Sequence, residues 1–173
     1  ISIFGKGFGG GFPIGIIAIS KKIKDTIVKK KLNVFYGGTY SGNSFSTLLA
    51  YENTKYIRKN KTIIKKLNSK SKYFQEELNH FFKEKKISAK VYRFHSLLRL
   101  VFSNNSIKNR SQRDFFESRN SKKIIKFRTI LKSKKILYPK NGLIFLCSQT
   151  STKSINYIIE NFKKSLEIIY KIK

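Results

Sequence analysis

An α/β fold is the reading the sequence supports, and three patterns predict it. Short apolar runs at Ile1–Phe4 and Ile14–Ile19 flank a glycine-rich stretch and have the length of strands. Beyond Thr62, apolar residues recur at about a 3.6-residue period over long stretches, which predicts amphipathic helices. From about Asn60, helical and strand-like stretches alternate as helix, strand, helix, strand, helix, the pattern of a compact α+β unit. The chain therefore reads as two pieces, residues 1–58 and residues 59–173.

Each element has its own reason. Ile1–Phe4 is a strand leading into a loop around Lys6, and Pro13 argues against a helix in the run that follows. Ser20 suits the N-cap of a short helix with Ile23, Ile27 and Val28 on one face. Asn33–Tyr36 leads to a second glycine loop, after which Phe45, Leu48, Leu49 and Tyr56 recur at helical spacing. Between Thr62 and Lys85 the stripe is Ile63, Ile64, Leu67, Phe74, Leu78, Phe81 and Phe82, with lysines mainly on the other face. Val91–Phe102 reads as strand, Ser103–Gln112 as polar loop, and Arg113–Lys132 as one helix with Phe116, Phe127 and Leu131 inward. Leu143–Cys147 reads as a buried strand, and Ile155, Ile158, Ile159, Phe162, Leu166 and Ile169 stripe the last helix.

Composition narrows the class. The chain has 173 residues and no Met, and it opens abruptly on an apolar strand, so it is expected to be a fragment of something longer. Lys and Arg number 38 against nine acidic residues, a net charge of +29. Such an excess raises nucleic acid as a partner. The lysines instead fall mostly on polar faces of helices, in a composition dominated by Lys, Ile, Asn, Phe and Tyr, and no zinc-finger or RNP-type motif is present. This reads as a solvated surface with no specific nucleic-acid site, although salt-sensitive attraction to polyanions follows from the charge. A basic nucleic-acid-binding module stays as the alternative. The single cysteine, Cys147, excludes an internal disulfide framework and is expected to be a buried small hydrophobe. No apolar run reaches the ~18–20 residues of a membrane span, and glycine interrupts the place of a signal-peptide core, so a cytoplasmic location is expected.

Two motifs carry chemistry. Gly5-Lys6-Gly7-Phe8-Gly9-Gly10-Gly11-Phe12-Pro13-Ile14-Gly15 sets an amine among glycines, where a large planar ligand can approach the backbone. Gly37-Gly38-Thr39-Tyr40-Ser41-Gly42-Asn43 frames hydroxyls with glycines, an arrangement whose backbone N–H groups suit a phosphate. The first motif formally satisfies Gly-x-Gly-x-x-Gly, but a Pro-containing strand follows where a dinucleotide site needs a helix. It is not a P-loop either, because its lysine precedes the glycines. A Schiff-base-forming amine followed by a phosphate loop points to pyridoxal phosphate.

On these residues, together with Ile136-Leu137-Tyr138-Pro139 and the run through Phe145 to Ile155, the chain resembles class III aminotransferases along essentially its whole length. It is nearest the glutamate-1-semialdehyde aminomutase branch. The resemblance implies the C-terminal part of a fold-type I pyridoxal-phosphate-dependent transferase: the end of the large cofactor-binding domain over residues 1–58, and the small C-terminal α+β domain over 59–173. It implies that Lys6 is the catalytic and cofactor-binding lysine. Gly38 and Thr39 would bind the phosphate of pyridoxal 5′-phosphate, reaching across the two-fold axis of a homodimer to the neighbouring subunit. The acid that faces the pyridinium nitrogen, and the other phosphate loop, are expected upstream of Ile1, so the isolated chain is expected to be inactive. An arginine that clamps carboxylate in acetylornithine-type relatives has no counterpart in Leu143–Phe145, which suits the aminomutase branch. The chain departs from the family pattern at Ser44, where Pro is usual. Lys153 opposes the helix dipole near the start of the last helix, at a cost of ~0.3–1 kcal/mol. Both departures fit an inactive truncated pseudoenzyme as a further alternative. His80 and His95 read as structural or surface residues without a partner acid, and Arg99, set in an apolar strand, calls for a carboxylate.

Overall fold

The computed structural model describes residues 1–35 and 37–172; Tyr36, at the end of the run that leads to the second glycine loop, and Lys173 lie outside the described residues. The chain forms two compact units, Ile1–Lys61 and Thr62–Lys173.

In the first unit, β1 (Ser2–Gly5) and β2 (Gly15–Ala18) pair antiparallel, with Ser2 opposite Ala18 and Gly5 opposite Gly15. Between them lie a 3₁₀ turn, Lys6–Gly9, and the glycine run. α1 (Lys21–Lys29) starts at Ser20, whose hydroxyl accepts from the Ile23 N–H at 3.4 Å, as the sequence anticipates. α2 (Ser44–Lys59) starts at Asn43, whose Oδ1 accepts from the Ser46 N–H at 3.0 Å. Among the described residues of this unit only Gly9 and Ala50 are buried. Ile3 and Ile17, directly paired across the hairpin, are 77% and 71% exposed.

The second unit holds the core. It runs α3 (Thr62–Glu84), β3 (Lys90–Phe94), β4 (Leu97–Val101), α4 (Arg110–Arg119), α5 (Ser121–Ser133), β5 (Leu143–Phe145) and α6 (Thr152–Tyr170). The sheet is antiparallel in the order β3-β4-β5, with Val91 opposite Leu100 and Leu98 opposite Ile144. Val91, Leu98 and Leu100 are buried with Phe74, Leu78 and Phe82 of α3, Phe127 and Leu131 of α5, and Phe162 and Leu166 of α6. Phe127 and Phe162 meet edge-on at 5.0 Å between centroids, and Tyr138 meets both, at 5.3 and 5.6 Å. Each fully buried aromatic of this kind contributes on the order of 2–3 kcal/mol of apolar burial.

Four expectations change. Val91–Phe102 is a hairpin, because His95 turns the chain at φ 50° and its carbonyl accepts from Ser71 Oγ at 2.6 Å. The helix expected over Arg113–Lys132 is two. It begins at Arg110, where Asn109 accepts from the Gln112 N–H at 2.9 Å, and it breaks at Asn120. There the Asn120 amide donates to the carbonyls of Phe102 and Phe116, at 2.9 and 3.0 Å, and so ends α4. The strand expected to Cys147 stops at Phe145, and Cys147 is exposed in the turn beyond it. Thr150 accepts from the Cys147 N–H at 3.1 Å and draws the chain out of the sheet; its hydrogen bond to the thiol lowers that thiol's pKa. Finally, His80 does have an acid, Glu84, at 3.3 Å one turn along α3, in an exposed pair.

Four helix ends among the described residues carry a lysine where glycine is usual. Lys31, Lys86, Lys135 and Lys171 all take positive φ, between 49° and 58°, just past the ends of α1, α3, α5 and α6. The residue after each donates its N–H to the carbonyl five residues back: Leu32 to Ile27, Ile87 to Phe82, Ile136 to Leu131 and Ile172 to Glu167. The glycine-type cap is made without glycine.

Candidate active site

The Lys6 loop is built from the hairpin outward. β1 ends at Gly5 in extended backbone, and Lys6 then turns to φ 54°. Unlike the other positive-φ lysines it caps no α-helix. A left-handed conformation at a residue with a Cβ costs ~1–2 kcal/mol, and such strain collects where function requires it. The chain then closes on itself, with the Gly10 N–H donating to the Gly7 carbonyl and the Phe12 N–H to the Gly9 carbonyl, both at 3.2 Å. Gly9 is buried so tightly that a Cβ there would lie 2.8 Å from Cγ2 of Ile14. A side chain at this position would require Ile14 or the loop to shift.

The second loop turns at Ser41, whose N–H donates to the Gly38 carbonyl at 2.9 Å, and at Asn43, whose N–H donates to Tyr40 at 3.2 Å. Gly42, at φ 70°, brings the chain into α2. Phe12 of the first loop meets Phe45 of α2 edge-on at 4.9 Å. The two loops thus face each other across a cleft of about 1250 Å³, lined by Lys6, residues 12–16 and residues 38–43 with the first turn of α2. It exceeds the ~300–1,000 Å³ of ordinary small-molecule clefts.

Lys6, Gly38 and Thr39, the three residues singled out in the sequence, all line this cleft. Lys6 is its only charged wall residue among those described, and no carboxylate faces it. Among the described residues the Thr39 hydroxyl has no hydrogen-bond partner within the chain. One amine, glycine backbone, an available hydroxyl and aromatic walls fit a planar aldehyde carrying a phosphate. The residue the sequence did not flag is Asn53, in α2. Its side-chain amide donates to the carbonyls of Gly7 and Phe8, at 2.9 and 3.2 Å, directly behind Lys6. The available signal was its place: asparagine inside a helix competes with the helix backbone and needs another partner.

The family model for Aminotransferase class-III matches residues 1–127. The chain belongs to that family. Glutamate-1-semialdehyde 2,1-aminomutase of Clostridium novyi is 32% identical over 109 residues, 63% of this chain and 25% of that protein. The enzyme of the same name from Methanococcus vannielii is 28% identical over 171 residues, 99% of this chain and 38% of that protein. In fold, the chain is similar to a crystal structure of a glutamate-1-semialdehyde aminomutase from Pseudomonas aeruginosa in complex with PMP. The TM-score is 0.83 at 15% identity, over 96% of this chain and 37% of that one. This chain therefore spans little more than a third of the length of such relatives. Its fold is that of part of a fold-type I transferase, and family membership indicates pyridoxal 5′-phosphate as the cofactor. No described helix is long and apolar enough to cross a membrane.

Proposed function

We propose that residues 1–58 of this chain are the end of a large cofactor-binding domain and residues 59–173 a small domain. Together they belong to an enzyme that moves an amino group on a small amino or keto acid, in the manner of glutamate-1-semialdehyde aminomutase. The observation that carries this reading is the Lys6 loop: in a class III chain, an amine on left-handed backbone among glycines opens on a cleft. Pyridoxal 5′-phosphate, when bound, supplies the electron sink that stabilises the charge left on a substrate carbon after proton loss.

The chain's own residues do the rest. Lys6 would hold the cofactor through Nζ and, with its amine free, would carry the proton taken from the substrate α-carbon. The Gly38 N–H and the Thr39 hydroxyl hold the phosphate. The exposed apolar face of the first unit fits a homodimer, and the proposed arrangement is that Thr39 serves the site of a second copy, as the resemblance implies. Reducing the cofactor-loaded enzyme with borohydride and mapping the modified peptide is expected to find the cofactor on Lys6. Attachment to any other lysine overturns the assignment.

A further inference from the structure

We infer that Asn53 is a positioning residue for Lys6, and that α2 is the element that sets where the lysine stands. This rests on the role proposed for Lys6. The bonds from Asn53 are long-range, 46 and 45 residues from their acceptors, and both run from Nδ2 to two successive carbonyls. Those carbonyls belong to Gly7 and Phe8, the residues immediately after the strained Lys6 backbone. Gly10 closes over the same side chain, with its Cβ direction 3.5 Å from the Cβ of Asn53. Among the described residues, no other side chain hydrogen-bonds the backbone of residues 6–11. The rest of that loop is glycine apart from Phe8, and besides Asn53 it is held by its own backbone bonds, by Gly9 packing on Ile14 and by the Phe4–Phe8 ring contact.

The same helix is capped by Asn43, whose Oδ1 accepts from the Ser46 N–H and whose own N–H donates to the Tyr40 carbonyl at 3.2 Å, closing the Thr39 loop. Asn43 and Asn53 are ten residues apart on one continuous helix, roughly 15 Å at 1.5 Å per residue. One rigid element thus carries an asparagine anchor for each of the two loops. An amide is the group this needs: two carbonyl acceptors call for two donors, and a carboxylate of the same shape would present only lone pairs to them.

The test uses the cofactor-loaded enzyme that contains this chain, with the variants Asn53→Ala, Asn53→Asp and Asn53→Ser. Two quantities are read: the rate at which pyridoxal phosphate becomes borohydride-trappable on Lys6, and the affinity for pyridoxamine phosphate, which needs no bond to the lysine. A displaced lysine slows attachment by about 10- to 100-fold in the Ala and Asp variants, because misplacing a reacting group by an ångström costs on that order. Affinity for pyridoxamine phosphate stays within about twofold, and Ser, which keeps one donor, recovers part of the rate. Unchanged attachment in folded variants overturns the inference, and so does an equal loss of both quantities, which marks a purely structural residue. If Ala and Asp fail to fold, the Ser variant decides: an unaltered rate overturns the inference and a partial loss supports it. Trapping on a lysine other than Lys6 in the unaltered enzyme overturns the functional reading and this inference together.

Discussion

Arg99 on β4 grips Glu117 on α4 through a forked contact. Its Nε and Nη2 reach Oε1 at 3.0 and 2.8 Å, and Nη2 also reaches Oε2 at 2.8 Å. Both side chains are largely shielded, 16% and 22% exposed, so the pair is screened less than a surface one. Removing one partner strands the other. Glu117→Leu is expected to destabilise by about 2–4 kcal/mol, while the double variant Arg99→Met/Glu117→Leu recovers most of that loss. Urea midpoints measure it; additive losses in the double variant would contradict the account.

Tyr138 lies beside this pair, with its hydroxyl donating to the Gly142 carbonyl at 3.2 Å. Burial pushes its phenol well above the ordinary value, and the positive charge of Arg99 offsets this in part. Folded, it keeps a proton that the unfolded chain releases near pH ~10. Its contribution is therefore complete below that pH and is lost as pH rises toward the folded value. Tyr138→Phe is expected to flatten the decline of stability above pH ~10 relative to the unaltered chain. Half-buried Tyr170, also raised by burial, is common to both and cancels in the comparison. Parallel stability curves would contradict this.

Much of this was legible in residues, and what was not has physical causes. The α3 stripe reads directly because helix period and burial coincide at Phe74, Leu78, Phe81 and Phe82. That Arg99 needs an acid follows from charge in an apolar strand, but which acid depends on how β4 and α4 pack. The break at Asn120 is hidden because asparagine is tolerated inside helices; its long-range bond to the Phe102 carbonyl is what makes it an end. Cys147 misleads because apolar neighbours cannot say where a strand's last hydrogen bond falls. At the site, Lys6 and Thr39 stand out by their glycines, whereas Asn53 shows locally only as an asparagine inside a helix, and its partners lie 45 and 46 residues away.

The lysine caps give a stability prediction of opposite sign. Lys86, at φ 51°, and Lys135, at φ 58°, hold left-handed backbone between a helix and a residue that packs on the core. Glycine removes the Cβ conflict but raises the entropy of the unfolded chain, so the two effects partly cancel. Lys86→Gly and Lys135→Gly are each expected to stabilise by about 0.5–1 kcal/mol. Lys6→Gly relieves similar strain while removing the amine, so it is expected to raise the melting temperature and abolish cofactor trapping. Destabilisation at both caps in chemical denaturation would contradict the strain argument.

The shared cleft makes a sharp experiment possible on how Thr39 acts. Thr39→Ala alone is expected to weaken cofactor binding by ~1–3 kcal/mol, the range for a lost partner of a charged group. Lys6→Ala alone is expected to remove the amine proposed to hold the cofactor. Mixed dimers of the two variants separate the arrangements. If Thr39 serves the second copy, one site of the mixed dimer pairs the two altered residues. The other then pairs an intact Lys6 with an intact Thr39. Half of the normal cofactor content, at normal affinity, is the expected result, measured by titration of dimers purified with two different tags. If Thr39 serves its own chain, every site carries one defect, and no site of normal affinity appears. Because Lys6 and Thr39 line one cleft within a single chain, the cross-subunit arrangement stands or falls on that measurement.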